Sequence, residues 1–114
     1  MVSIVVQSWY PPKMANEAGR VFLENMKRNA QSPIEDPPVK VVVPSLQAIT
    51  KEGIHAIGIF ECVPGREAEA LLLLSKTMLT YANIEGYTYT MNLYVNPQEA
   101  YSTIDVDYNT EMGM

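Results

Sequence analysis

Residues 54–63 read IHAIGIFECV, and this stretch decides how the rest of the chain is arranged. Successive residues of a strand point to opposite faces of a sheet, so the stretch divides into two sets. One set is Ile54, Ala56, Gly58, Phe60 and Cys62, and the other is His55, Ile57, Ile59, Glu61 and Val63. Both sets are mostly apolar, which is typical of a strand covered on both faces. We therefore predict that residues 54–63 form a central strand.

The chain before this strand predicts a hairpin. Residues 51–53, KEG, form a short turn after another apolar segment at residues 39–50. Two strands joined by so short a turn pair antiparallel. Pro44 interrupts the earlier strand and has no backbone N–H for a ladder bond, which favours an edge position or a bulge. The proline-rich residues 31–38 are predicted to be a loop.

Two helical patterns flank the hairpin. Residues 13–30 place apolar side chains on one helical stripe and charged side chains opposite, as in an amphipathic helix with one buried face. Gly19 costs this helix up to about 1 kcal/mol relative to alanine unless close packing requires it. Residues 66–83 are apolar around most of the helix, which predicts burial on more than one side.

Strands are predicted near both ends of this region. Residues 2–9 are rich in β-branched and aromatic residues and are followed by the prolines at 11 and 12. Residues 87–95 alternate strictly between two sets of side chains, which is the clearest strand pattern in the chain.

The chain of 114 residues fits one domain, which we assign to residues 1–96. Residues 97–114 are assigned to a C-terminal tail. Within the tail, residues 101–108 alternate, and two interpretations stay open: a short extra edge strand or an extended tail.

The order strand, helix, strand, strand, helix, strand predicts an α+β fold of the ferredoxin-like β-α-β-β-α-β kind. In this sandwich a four-stranded antiparallel sheet carries both helices on one face. The other face would be half apolar, which is too apolar to remain in contact with water across its width. We therefore expect two such sheets to pair face to face as a homodimer or a higher homo-oligomer.

The element order and the WYPP sequence at residues 9–12, which ends the first strand, are similar to those of the dimeric α+β barrel superfamily. The resemblance covers roughly residues 2–95. It implies that the two sheets of a dimer enclose a cavity for a small, mostly apolar ligand. Members of this group include cofactor-free antibiotic-biosynthesis monooxygenases and muconolactone isomerase-like enzymes.

Composition excludes several functional classes. The chain has 13 Asp and Glu against 8 Lys and Arg, and the basic residues are spread along it, which disfavours a nucleic-acid or anionic-membrane partner. A single cysteine, Cys62, argues against an intrachain disulfide and a cysteine-rich metal site, and a single histidine, His55, argues against a zinc site. No metal ion is predicted. No motif indicates a bound cofactor. The longest apolar run is too short for a membrane span, and the N-terminus has no basic leader, so a cytoplasmic location is expected.

Two residues are candidates for catalysis, although the sequence assigns no reaction. His55 is a possible proton acceptor or, as the resemblance to haem-binding relatives implies, an axial ligand. The alternative is a surface or interface histidine beside a turn. Glu61 is a possible buried carboxylate with a raised pKa, and the alternative is a solvated strand end. Six residues separate them, or about 20 Å along a strand, so they do not share one site within a monomer.

Five residues are candidates for ligand binding because each places a polar group or a flat ring on the face away from the helices: Gln7, Trp9, Glu61, Asn92 and Tyr94. The predicted function is a homo-oligomeric barrel protein that binds a small, mostly apolar molecule between its sheets. One alternative is a non-catalytic oligomerisation or regulatory module with a filled sheet interface. Another is a cofactor-free monooxygenase-like or isomerase-like enzyme, and the sequence leaves open whether the protein is an enzyme.

Overall fold

The computed structural model describes residues 2–96 and has an α+β fold, with two helices and a four-stranded antiparallel sheet. The strands are β1 (Val2–Tyr10), β2 (Val39–Thr50), β3 (Gly53–Cys62) and β4 (Thr88–Val95). The helices are α1 (Ala15–Gln31), which follows a 3₁₀ turn at Pro12–Met14, and α2 (Glu67–Leu79). The predicted tail, residues 97–114, lies outside the described residues, together with its possible extra strand.

The sheet has the strand order β2-β3-β1-β4. β1 pairs with β3 from Ser3 opposite Glu61 to Tyr10 opposite Ile54. β4 pairs with the other side of β1, so β1 and β3 are the two interior strands of the sheet.

Pro44 interrupts the ladder of β2, which is an edge strand. The register between β2 and β3 shifts twice around this residue, between Val41 and Val43 and again between Val43 and Leu46. The irregularity lies beside Gly58 of β3, where an added Cβ would be 3.2 Å from the Pro44 carbonyl oxygen. Because proline cannot donate to the ladder, the strand bulges at this point.

The two faces of the sheet differ in burial. On β1, Ile4, Val6, Ser8 and Tyr10 are buried, whereas the residues between them are only partly buried. Side chains of both helices belong to the same core as the buried set, so the helices lie on that face. We call this the helix-facing side of the sheet.

The opposite side, which we call the open face, is covered by no element within residues 2–96. It consists of the alternate residues of the two interior strands and of β4: Ser3, Val5, Gln7, Trp9, His55, Ile57, Ile59, Glu61, Thr88, Thr90, Asn92 and Tyr94. Each of these residues is partly or fully exposed.

A buried amide joins the two helices. Asn25 of α1 is 7% exposed, and its Nδ2 donates to Thr80 Oγ1 at 3.0 Å, just beyond the end of α2. The Oδ1 of Asn25 accepts a hydrogen bond from Arg28 Nη1 at 3.0 Å. An amide at this depth needs such partners, since an unpaired one costs about 1–3 kcal/mol.

α2 ends at Leu79, four residues before the predicted end at residue 83. After Leu79 the backbone forms i→i+3 hydrogen bonds, and the first of these runs from Thr80 N–H to Thr77 O at 3.2 Å. One side of this helix is buried through Ala70, Leu74 and Met78. The outer side is exposed within the described chain, so burial of a second side of this helix stays a prediction that requires a partner. No helix within residues 2–96 is long and apolar enough to cross a bilayer.

Two glycines are expected to respond oppositely to alanine. At Gly19, on the exposed side of α1, no atom lies within 4 Å of an added Cβ, so Gly19→Ala should raise the free energy of unfolding by up to about 1 kcal/mol. At Gly53 the φ angle is +119° and an added Cβ would be 2.6 Å from Tyr10 O. Gly53→Ala should therefore lower the free energy of unfolding by about 1–3 kcal/mol. Urea unfolding of the two variants measures both changes. A stabilising Gly53→Ala change would contradict the turn geometry.

Candidate functional site

A partly enclosed cavity of about 600 Å³ lies between the helix-facing side of the sheet and the two helices. Its walls come from β1, β2 and β3, from both helices, and from the loop between α1 and β2. The volume is within the range of small-molecule sites in proteins, which is about 300–1,000 Å³.

Small residues at the centre of the sheet form the floor of the cavity. Ser8 of β1 pairs with Ala56 of β3, and Val6 pairs with Gly58, so three of these four side chains are very short. The ring of Phe60 lies beside the hydrogen side chain of Gly58, 3.1 Å from where a Cβ would be. A layer of Leu or Ile at these positions would fill the space that the helices leave above the sheet.

The walls of the cavity are mostly apolar. α1 contributes Phe22, and α2 contributes Leu73 and Leu74. The proline-rich loop contributes Pro33 and Ile34 at one end. Burying a ligand against these surfaces would be driven mainly by removal of apolar area from water.

Arg66 fastens this loop to the start of α2. Its Nη1 donates to the Asp36 carbonyl oxygen at 2.9 Å and lies 3.3 Å from Asp36 Oδ2. Its Nη2 and Nε donate to the Glu69 carboxylate at 2.8 and 3.2 Å. Asp36 has a φ of 51°, so the loop turns sharply where Arg66 holds it.

Three tyrosines stack at another part of the cavity lining. The ring centroids of Tyr81 and Tyr87 are 4.7 Å apart, and those of Tyr10 and Tyr87 are 5.6 Å apart, with interplanar angles of 13° and 11°. Burial raises the pKa of Tyr87 to about 12, although a hydrogen bond with Ser8 opposes the shift.

Burial also raises the pKa of Tyr10, and it raises the pKa of Tyr81 although a hydrogen bond with Asn25 opposes that shift. The three phenols are therefore protonated at neutral pH. They can donate hydrogen bonds to a ligand, and they are poor general bases.

The remaining polar groups of the lining are neutral amides and hydroxyls: Ser8, Asn25, Asn29, Ser45, Gln47 and Thr77. Among the described residues that line the cavity, none is an Asp, Glu, Lys, Arg or His. The cavity therefore presents apolar surface and neutral hydrogen-bonding groups to its contents.

The candidate residues predicted from the sequence lie on the open face. Three of them come together at one end, where the His55 and Trp9 rings stack in parallel with their centroids 4.9 Å apart. His55 Nε2 is 3.0 Å from Gln7 Oε1, and because an amide oxygen only accepts, the histidine donates this hydrogen bond from Nε2.

The other candidates lie toward the opposite end of the open face. Glu61 and Tyr94 are the two cross-strand neighbours of Ser3, and Asn92 is the neighbour of Val5. His55 and Glu61 therefore belong to different ends of β3, as their spacing predicted, and do not form one proton-transfer site within the described chain. A cavity between two sheets, lined by Gln7, Trp9, Glu61, Asn92 and Tyr94, stays a prediction because it requires a second copy.

Sequence reasoning missed the cavity on the helix-facing side, although the chain carries two signals for it. Asn25 falls on the apolar stripe of α1, three residues after Phe22, where a polar residue needs an explanation. Ala56 and Gly58 are the smallest residues of the strand that was predicted to be central. Within residues 2–96, no group of three or more His, Cys, Asp or Glu side chains is placed to hold a metal ion.

No known family model matches the chain, and no curated protein matches it. Among solved structures, the chain is similar to the de novo designed protein Foldit4, with a TM-score of 0.47 and 11% sequence identity. The match covers 83% of this chain and 96% of the designed chain. At this level of similarity the comparison assigns neither a family nor a function.

High pH is expected to destabilise the protein through Tyr87. Its pKa is about 12 in the folded state, against an ordinary value of 10.0. Between these values the unfolded chain loses a proton that the folded chain keeps, so the free energy of unfolding falls as pH rises. Tyr87→Phe should reduce this fall by on the order of 1–2 kcal/mol, after allowance for partial exposure. Urea unfolding at pH 9 and pH 11.5 measures the difference.

The matched control is Tyr94→Phe, which removes the same hydroxyl from a side chain that is 50% exposed on the open face. Equal effects of the two substitutions would show that burial in the tyrosine stack is not the cause.

Proposed function

We propose that this protein binds a small, uncharged, mostly apolar molecule in the cavity between its helices and its sheet. The observation that carries this proposal is the chemistry of the lining: a space of about 600 Å³, mostly apolar, with amides and hydroxyls as the polar groups and no charged side chain among the described residues around it.

The absence of charge in the described lining favours a neutral ligand. A carboxylate, phosphate or ammonium group loses its hydration when it enters a low-dielectric space, and the cost is large unless an opposite charge receives it. Neither arginine that contacts the surrounding elements belongs to the lining. Arg66 is engaged by Asp36 and Glu69, and Arg28 donates to Asn25 Oδ1. A neutral ligand incurs no such cost.

The polar part of the ligand is expected at the tyrosine stack. Protonated phenols at Tyr10, Tyr81 and Tyr87 can donate to a carbonyl or hydroxyl oxygen, while Phe22 and Phe60 provide apolar contact. This chemistry favours binding and orientation over proton abstraction. A cofactor-free monooxygenase-like or isomerase-like activity remains the alternative, and it would act on the molecule held here.

Filling the floor of the cavity tests this proposal. Ala56→Leu adds three carbon atoms above β3, so it should weaken binding of the neutral fluorophore N-phenyl-1-naphthylamine by at least about tenfold, as expected when a ligand-sized apolar site is blocked. The anionic relative 8-anilino-1-naphthalenesulfonate should bind the unsubstituted protein more weakly than the neutral probe. Fluorescence titration measures both affinities.

Ala30→Leu is the matched control, because it makes the same change at an exposed position near the end of α1. It should leave both affinities unchanged, and thermal unfolding should show that both variants are folded. Equal binding of the neutral probe by Ala56→Leu and by the original chain would refute the site. A failure of the original chain to bind it would favour the non-catalytic oligomerisation or regulatory module.

We also propose that two copies pair through their open faces, as in a ferredoxin-like dimeric α+β barrel. The strand order β2-β3-β1-β4, with both helices on one side, supports the ferredoxin-like arrangement. Val5, Ile57 and Ile59 form an apolar centre on the open face, and Leu46 at its edge is 61% exposed. A second open face would remove this surface from water.

Ile59→Lys tests the pairing because it places a charge at the centre of the open face. We expect light scattering to show half the molar mass of the original assembly, since an unpaired charge in such an interface is costly. Leu23→Lys, at an exposed position of α1, is the control and should leave the mass unchanged. A monomeric original chain, or an Ile59→Lys variant of unchanged mass, would contradict the pairing.

A further inference from the structure

The outer side of α2 carries an apolar seam that the rest of the described chain does not cover. We define the α2 seam as Ala68, Leu72, Ser75 and Leu79. Leu72 is 66% exposed and Leu79 is 64% exposed, whereas Leu74 and Met78 on the inner side of the helix are buried. Two large aliphatic side chains exposed two turns apart on one helix face are typical of an interaction surface.

The spacing of the α2 seam is that of a helix made to pack on another helix. Its members follow one another at intervals of four, three and four residues. This is the a/d repeat of helices that pack knobs into holes. Its two ends, Ala68 and Leu79, are eleven positions apart, which is about 16 Å along the helix.

We propose that a second copy of this chain packs against the α2 seam, with the two α2 helices antiparallel. The arrangement is independent of the cavity and of the open face, which lie on other sides of the molecule.

The seam is self-complementary in size only when the helices run in opposite directions. With the two-fold axis between residues 73 and 74, Leu72 faces Ser75 of the second copy, and Ala68 faces Leu79 of the second copy. Each large side chain then lies against a small one, which lets the helices approach closely. Parallel helices would instead set each leucine against the same leucine.

The charged residues beside the α2 seam also favour the antiparallel arrangement. Glu69 and Lys76 lie seven residues apart on the same flank of the α2 seam, and both are exposed. In the antiparallel pair, Glu69 is two residues out of register with Lys76 of the second copy, or about 3 Å along the axis. A parallel pair would place the two flanks on opposite sides of the interface, so neither of these attractions would form.

The ion pair that Glu69 makes within its own chain does not cancel this attraction. Arg66 donates to Glu69 and also contacts Asp36, so one positive charge is shared by two carboxylates. The hydrogen bond from Arg66 also lowers the pKa of Glu69, which keeps this carboxylate ionised. Lys76 of the second copy therefore meets a group with a net negative charge.

The pair is small for a protein interface, because each helix has only 13 residues. Association through the α2 seam alone is therefore expected to be weak and concentration-dependent. Where two copies are already joined through their open faces, the seam would link such dimers into a larger assembly. A sheet interface and a helix interface on one chain lead either to a closed tetramer or to an open chain of dimers.

Cysteine cross-linking of the full chain tests the proposal. The only native cysteine, Cys62, is 2% exposed, so new surface thiols dominate disulfide formation. Ala68→Cys alone and Leu79→Cys alone should stay uncross-linked under mild oxidation, because in the antiparallel pair each position is about 16 Å along the helix from its own copy. An equimolar mixture of the two variants should form a disulfide-linked dimer that contains one chain of each kind.

Repeating the mixture in the Ile59→Lys background separates the two interfaces, since that substitution acts on the open face. The cross-link should persist there. Cross-linking of either single variant with itself would overturn the antiparallel arrangement. No cross-linking in the mixture would overturn self-association through the α2 seam and leave the seam for a different protein.

Charge reversal provides a second readout on the same mixture. Lys76→Glu replaces two attractive contacts by two repulsive ones, so it should slow cross-linking about tenfold at low salt. Lys27→Glu makes the same charge change on α1 and should leave the rate unchanged. Equal rates for the two variants would contradict the pairing of Glu69 with Lys76.

Discussion

The pairing of β1 with β3 places short side chains side by side at the centre of the helix-facing side of the sheet, and the cavity depends on it. Ser8 is opposite Ala56, and Val6 is opposite Gly58. A shift of one residue in this register would turn Gln7 and Ile57 toward the helices and expose the residues that now form the core. With the observed register, a space of about 600 Å³ remains between the centre of the sheet and the helices.

Three other features of the fold lie in the elements that surround the cavity. The bulge at Pro44 brings a backbone carbonyl close to Gly58, where an added Cβ would be 3.2 Å from the carbonyl oxygen. Asn25 joins the two helices by a buried hydrogen bond. Arg66 fastens the proline-rich loop through Asp36. An apolar cavity of this size lowers stability when it is empty, so a ligand that fills it would stabilise the folded state.

The chain also leaves two apolar surfaces uncovered within its described residues, and they differ in character. The open face is a broad sheet surface with aromatic and polar groups among its aliphatic residues. The α2 seam is a narrow helix surface with opposite charges on one flank. In the assembly that we propose, both surfaces are covered by second copies of the same chain.

Much of the secondary structure could be predicted from the sequence, because it follows from side-chain periodicity. The alternation of residues 87–95 predicted β4 to within one residue, and Pro44 marked the bulge of β2. The end of α2 was predicted four residues too late, because i→i+3 hydrogen bonds near Thr80 end the helix while Tyr81 and Ala82 continue the helical spacing. Periodicity identifies which side chains face the core but not whether they fill it.

For that reason the cavity was missed. Ala56 and Gly58 count as apolar in any pattern, and only the register that puts them beside Ser8 shows that together they leave space. The candidate residues chosen from the sequence were polar ones, and they lie on the open face. Their stacking and hydrogen bonding, as between His55 and Trp9, depend on cross-strand register that a single sequence does not specify.

The most direct test of the central claim is a crystal structure of the protein with N-phenyl-1-naphthylamine bound. We predict that the probe lies between the sheet and the helices, against Ala56 and Gly58, with its amine near the tyrosine stack of Tyr10, Tyr81 and Tyr87. Density for the probe on the open face, between Trp9 and Tyr94, would contradict the account. A cavity closed by repacked side chains, with no probe bound in it, would contradict the account equally.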